Sequence, residues 1–240
     1  MATRLGDAAI GRVVKIKYTH YTTTSLVDFL VVHQDDGTWV CMQSNGGYYP
    51  FNTTGWSTNG QYGESWIDSY LNSTALNNLD PAILSSILYT TVRCNEGQSS
   101  VIYISRKLFL LSASQIGVSS STLSNAPDEG PKLSYFLEGY SSSANQRRIF
   151  QDGEAWWTRT PYITSQNPNV SPTLTCYVAT DGTIAGSERQ RQQALHFAFR
   201  LDPSLIIGND GTLSRNSAPT IPSSLTVPSP LRSATPITIQ

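Results

Sequence analysis

Phe29-Leu30-Val31-Val32-His33 and Thr38-Trp39-Val40-Cys41-Met42 are two apolar runs separated by Asp35-Asp36-Gly37. Both are short and rich in β-branched and aromatic residues, so they read as strands. The Asp and Gly between them supply a turn, because Asp bonds its own following backbone and Gly reaches positive φ without a Cβ clash. Upstream, Val13-Val14-Lys15-Ile16-Lys17-Tyr18 alternates, with Val14, Ile16 and Tyr18 on one face. Three such strands in succession predict an N-terminal β-meander with a buried side.

Further along, the period changes. Ser65 is placed to cap a helix, with Asp68 as its capping-box partner. Ile67, Tyr70, Leu71, Thr74 and Ala75 then form one stripe at helical spacing. Asp80-Pro81 predicts a second helix, an N-cap followed by Pro at the first helical position, with Ile83, Leu84, Ile87 and Leu88 as its buried face. Lys107-Leu108-Phe109-Leu110-Leu111-Ser112 suits a buried strand or the start of a helical turn. Polar loops follow, at Ser119–Thr122 and Ser141–Ser143, and then Trp156-Trp157-Thr158-Arg159-Thr160-Pro161. After a loop over 162–172, Leu174, Cys176 and Val178 alternate, Asp181-Gly182 turns the chain and Thr183-Ile184 starts the return strand. In the last strand Leu195, Phe197, Phe199 and Leu201 share a face, which points His196 outward. From Asn209 the composition shifts to a Pro/Ser-rich connector, so the chain divides into 1–208 and 209–240.

Hydrophobic residues make up 39% of the 240, enough for a buried core, but charged residues only 14%. Average usage is about 25% charged, so the polar surface must come mainly from Ser, Thr, Asn and Gln, a bias common in particle-surface and adhesive proteins. The net charge of -1 offers no basic excess to neutralise a phosphate backbone, which disfavours nucleic-acid binding. Cys41, Cys94 and Cys176 are odd in number and far apart, and read as reduced, buried thiols. No apolar run approaches the roughly 18 residues of a membrane span, and the N-terminus lacks an apolar signal core. Membrane insertion is therefore not expected, and work outside a cell would need release by lysis within a virus particle.

Catalytic chemistry finds little footing. Asp35-Asp36-Gly37 and Asp128-Glu129-Gly130 read as turns, and Glu138 and Glu154 complete the candidate carboxylates. His20, His33 and His196 share no metal-ligand spacing. The expectation is a non-enzymatic protein with no metal and no cofactor. The tryptophan pair could stack on sugars, but it reads better as scaffold, with Arg159 bonded to nearby backbone. The candidate ligand-binding residues lie instead in the polar loops: Tyr162, Gln166, Asn167, Asn169, Arg189, Gln190 and Arg191. Tyr, Asn, Gln and Arg there offer the amphipathic, adaptable contacts of a paratope.

Several of these pieces occur in a familiar order. Phe29–Gln34, Gly37–Met42, Ser69–Thr74, Lys107–Ser112, Leu133–Phe136 and Trp156–Pro161 together resemble an uncharacterised domain family frequent in gut bacteria and their phages, with a W-W-L-R-S-P hallmark, a D-G turn and a terminal G-[IV]-R-P-A strand. The resemblance covers roughly residues 5–206. Where the family strand has Gly, Arg and Pro, this chain has Ala194, His196 and Phe197. The resemblance implies an α+β, C-type-lectin-like fold: paired terminal strands, two flanking helices and a face of long loops. Calcium-dependent sugar binding in lectins needs an acid that Gln166-Asn167-Pro168-Asn169 lacks. Formylglycine-generating relatives of that fold need a close cysteine pair that is absent here. Pro219–Ile239 resembles the first strands of a fibronectin-type-III-like module. The function implied is a bacteriophage virion surface protein, associated with a tail or head fibre. It would bind a host-surface receptor or glycan and contact other virion proteins, as a homo-oligomer. The alternatives are a structural decoration or attachment protein of the virion and, in third place, a glycan hydrolase.

Overall fold

In the computed structural model, which describes residues 2–44, 46–53, 62–95, 101–118, 129–162 and 174–215, the chain is mostly β-sheet with short helices. β1 (Thr3–Arg4), β2 (Val13–His20), β3 (Thr23–Gln34), β4 (Thr38–Met42) and β5 (Tyr48–Pro50) precede α1 (Trp66–Tyr70). β6 (Ile87–Leu88), β7 (Thr90–Asn95) and β8 (Val101–Arg106) come next, then α2 (Ser142–Gln146). β9 (Trp156–Pro161), β10 (Leu174–Val178), β11 (Ile184–Glu188), β12 (Gln192–Ala194), β13 (Ala198–Leu201), β14 (Ile206–Ile207) and β15 (Leu213–Ser214) complete the order.

The meander forms as the alternation predicts. β2, β3 and β4 pair antiparallel, and Val14, Ile16 and Tyr18 are buried. At the turn Asp35 N donates to Gly37 O at 3.0 Å and Gly37 N donates to Asp35 Oδ1 at 2.8 Å. This sheet runs β2-β3-β4-β13-β6. Tyr18, Phe29, Phe197 and Phe199 meet over its inner face with ring centroids 5.3 to 6.1 Å apart. Each buried ring of this kind contributes about 1.5–3 kcal/mol by leaving water. A second five-stranded sheet runs β11-β10-β9-β12-β5, antiparallel except for β12 beside β9. β7 and β8 form a separate ribbon.

The cap at Ser65 is present: its Oγ accepts from Asp68 N at 3.2 Å. The Asp68 carboxylate does not complete a capping box; it turns to Arg106, with Nε 2.8 Å from Oδ2. Beyond Tyr70 the helix widens into a π turn over Leu71–Ala75. Ile67, Leu71 and Ala75 are buried, while Thr74 is exposed and Tyr70 half-buried.

The second predicted helix does not form. Asp80 Oδ1 accepts from Ala82 N at 2.9 Å, but only a turn and a 3-10 segment, Leu84–Ser86, follow. Ile87 and Leu88 are β6, paired with Leu201 and Arg200. Covering the edge of β13 outweighs the local cap: Ile87 reaches the core in β6, and Ile83 from the turn before the 3-10 segment.

The last apolar run also divides. β12 joins one sheet and β13 the other, so Leu195–Phe197 crosses between them and ties the two together. That crossing overturns the outward reading of His196: it is fully buried, with Nδ1 2.9 Å from Met42 O and Nε2 3.2 Å from Asp152 Oδ2. β1 pairs with β14, and β14 with β15. Gly208 N donates to Thr212 O at 2.8 Å and Lys15 N to Gly211 O at 2.9 Å. The hairpin around residue 209 therefore belongs to the domain, and the compositional boundary after 208 cuts through it. Residues 216–240, and with them the fibronectin-like stretch, lie outside the described residues. Cys41, Cys94 and Cys176 are free, buried thiols, one each in β4, β7 and β10.

Candidate functional site

β9 carries the Trp-Trp-Thr-Arg-Thr-Pro string through the middle of the second sheet, and every one of its residues is buried. Trp156 Nε1 donates to Arg148 O at 3.0 Å and Trp157 Nε1 to Tyr49 O at 2.9 Å. Thr158 Oγ1 donates to Cys176 O at 2.8 Å. Arg159 reaches four acceptors: Arg93 O at 3.0 Å, Leu110 O and Gln115 Oε1 both at 2.7 Å, and Glu129 O at 2.8 Å. The Thr160 hydroxyl donates to the Glu129 carboxylate and accepts from Ala113 N at 2.9 Å. Glu129 also receives Asn95 N at 3.0 Å. Buried polar groups are costly unless bonded, and this hub meets that demand with backbone from several loops. The string is scaffold. Glu129, read from sequence as a turn residue, is one of its internal anchors.

The hub fixes one end of the sheet, where part of the predicted binding set collects. Tyr162 N donates to Leu174 O at 3.1 Å, and Leu174 pairs with Glu188 at the end of β11. The Tyr162 ring lies against Gly186, where an added Cβ would fall 2.4 Å from its Cδ1. Gln190 and Arg191 are exposed in the turn that follows, closed by Arg191 N donating to Glu188 O at 3.0 Å. The Arg191–Glu188 ion pair, at 4.0 Å and largely exposed, contributes little.

Arg189 departs from the expectation of a solvent-facing contact. It is 2% exposed, its Nε donates to Thr175 Oγ1 at 3.1 Å and its guanidinium lies 5.8 Å from the Phe51 ring centroid. Burial lowers its pKa to about 10. Its carbonyl accepts from Asn52 N at 3.0 Å, so Arg189 pins the turn instead of offering a charge. Gln166, Asn167 and Asn169 lie outside the described residues.

Two features near α1 were not singled out in the sequence. On one side, Asp68, Ser69, Asn72, Leu76, Tyr89, Arg106 and Lys107 line a cleft of about 250 Å³. Burial raises Asp68 to about 6 against the opposing pull of Arg106. Asn72 Nδ2 donates to Leu108 O at 2.9 Å, and its Oδ1 accepts from Lys107 N and Leu108 N at 3.2 Å each. On the other side, Trp66 and Tyr70 stack at 5.1 Å, and both meet Tyr49 of β5 at 5.8 and 4.6 Å. The i, i+4 spacing of Trp66 and Tyr70 beside the buried stripe was the available signal. Among the described residues no group of three or more His, Cys, Asp and Glu side chains converges as a metal cage. No helix among them is long and apolar enough to cross a membrane.

A family model described as "Domain of unknown function (DUF6273)" matches residues 36–206. No curated protein and no solved structure matches the chain.

Proposed function

The chain belongs to the DUF6273 family, and we propose that it is a non-enzymatic, C-type-lectin-like binding module of a bacteriophage particle. It would engage a host-surface receptor or glycan through the loops at the Tyr162 end of the second sheet. The observation that carries this reading is the contrast within that end. Gln190 and Arg191 are held out to solvent, while Arg189 and Tyr162 are locked beneath them by Thr175, Phe51 and Gly186. A fixed turn with exposed amphipathic groups suits recognition, since less order is lost on binding.

The lectin-like assignment is supported by the pairing of β1 with β14 and by the contact of α1 with β5. The order of motifs and the low-charge surface favour a particle protein assembled with other virion proteins. A hydrolase is the weaker reading. Asp68 is tied to Arg106, Glu129 is inside the hub, and Asp35 and Asp36 both bond Arg200, so these carboxylates are not poised as an acid–base pair.

The test is adsorption of the purified chain to a panel of gut-bacterial cells, with a Gln190→Ala/Arg191→Ala variant beside it. The expected result is saturable adsorption that the variant loses while particle assembly is unaffected. Adsorption unchanged by the variant, or a particle map with this loop buried against neighbouring subunits, would instead support the decoration-protein reading.

A further inference from the structure

Charge is unevenly engaged in the cleft of about 250 Å³ beside α1, which is lined by one carboxylate, Asp68, and two cations, Arg106 and Lys107. Asp68 is fully occupied. Arg106 Nε lies 3.0 and 2.8 Å from its two oxygens, Asn72 Nδ2 donates to Oδ1 at 3.3 Å, and the Asp68 side chain is 3% exposed. A cationic ligand would therefore find no open carboxylate in the cleft. The two cations are less engaged. A guanidinium carries five N–H groups. Arg106 gives one from Nε to Asp68, one from Nη1 to Ser105 O at 3.0 Å and one from Nη2 to Gly63 O at 3.4 Å. The other two have no partner among the described residues. Lys107 Nζ donates to Leu84 O at 3.3 Å and pairs with no carboxylate among the described residues.

The walls add a second kind of surface. Tyr89 is 69% exposed, and Lys107 Nζ lies 5.2 Å from its ring centroid. This contact holds a cation beside an open aromatic ring. Ser69 and Ser105, both exposed, line the same cleft and bring hydroxyls. The volume falls just under the range of about 300–1,000 Å³ usual for small-molecule sites, so it suits one ring and not a chain of them.

We propose that the cleft of Asp68, Ser69, Tyr89, Ser105, Arg106 and Lys107 binds one acidic sugar unit, a uronic or sialic acid, by its carboxylate. With Asp68 matched by Arg106, the excess charge is that of Lys107, which suits a monoanion. Lys107 and the remaining N–H groups of Arg106 are charge-assisted donors to a carboxylate. Tyr89 offers its ring to the apolar C–H face of the sugar, and the serines meet its hydroxyls. A neutral sugar would leave Lys107 without a counterion. The inference rests on the reading of the chain as a binding module and names a ligand class, at a site distinct from the Gln190–Arg191 turn.

The test titrates the full chain with 3′-sialyllactose and trigalacturonic acid by calorimetry, with lactose and cellotriose as neutral counterparts. At least one acidic sugar should bind saturably, and the neutral ones about tenfold more weakly or not at all. Lys107→Gln keeps a donor for Leu84 O without the charge, and Tyr89→Ala removes a largely exposed ring, so both variants should keep the melting temperature of the parent chain. Affinity should fall about tenfold or more in Lys107→Gln, as expected for a lost charge-assisted bond. It should fall about three- to tenfold in Tyr89→Ala, as expected for a lost ring contact. No saturable binding of either acidic sugar, equal affinity for the neutral ones, or affinity unchanged in Lys107→Gln overturns the site. Cell adsorption measured in parallel separates the two readings. If it depends on Gln190 and Arg191 while the acidic sugars fail, the cleft alone is wrong; if the sugars bind and adsorption ignores that turn, the turn is wrong and the cleft stands.

Discussion

The β9 hub and the aromatic cluster on α1 are built from the same materials, and they touch: Trp157 donates its indole N–H to the carbonyl of Tyr49. In the hub, Trp156 and Trp157 are fully buried and their N–H groups are bonded to backbone. In the cluster, Trp66, Tyr70 and Tyr49 stack on one another and keep part of their surface in water. Aromatic content alone therefore does not separate buried scaffold from half-open surface. What separates them is where the polar tips go. In the hub the indole tips bond distant backbone and fix the fold; in the cluster Tyr70 Oη donates to Tyr49 Oη, a bond between neighbouring side chains.

Substitutions should break this contrast in a graded way. Arg159→Leu strands the Arg93, Leu110 and Glu129 carbonyls and Gln115, and should cost about 3–5 kcal/mol. Guanidinium denaturation would read this as a large fall in midpoint or as loss of soluble protein. Trp157→Ala should cost a similar amount, about 3–5 kcal/mol for a buried ring. Trp66→Ala, half-buried, should cost only about 1–2 kcal/mol by area. Equal losses in the two tryptophan variants would remove the distinction drawn above.

A smaller effect belongs to Asp68, on the other side of α1. Its folded pKa, raised by burial to about 6 from 3.8, means that the folded state holds the proton more tightly than the unfolded chain. Its contribution to stability is fully present below pH 3.8 and is lost as pH rises through about 6, a change on the order of 1–3 kcal/mol. In Asp68→Asn, stability curves taken across that window should lose this slope, whatever the absolute stability of the variant. Smallest of all, Tyr21→Gly should leave stability level or raise it by up to about 1 kcal/mol, since Gly accepts the positive φ of +54° at that position. A clear loss of stability would show that the Tyr21 ring is a structural prop.

Much of the fold was legible locally. The alternation of Val14, Ile16 and Tyr18, the Asp35–Gly37 turn, the cap at Ser65 and the hairpin around Asp181-Gly182 each depend on residues a few positions apart. Gly182 is needed there, with φ +79° and an added Cβ 2.1 Å from Asn145 O. The misreadings share a different cause. Ile87 became a strand because of Leu201, His196 turned inward to Met42 and Asp152, Glu129 went to Thr160, and Arg189 went to Thr175 and Phe51. Each of these is decided by a partner distant in sequence.

The three cysteines carry a practical consequence. Burial raises the pKa of each thiol, so none presents a thiolate while the chain is folded. They sit in three different sheets, one sensor apiece. Pulse alkylation followed by peptide mass spectrometry would therefore time the opening of each sheet separately in the unmodified chain. Simultaneous labelling would mean a single cooperative unit, and earlier labelling of Cys94 would mean that the β7–β8 ribbon breathes on its own.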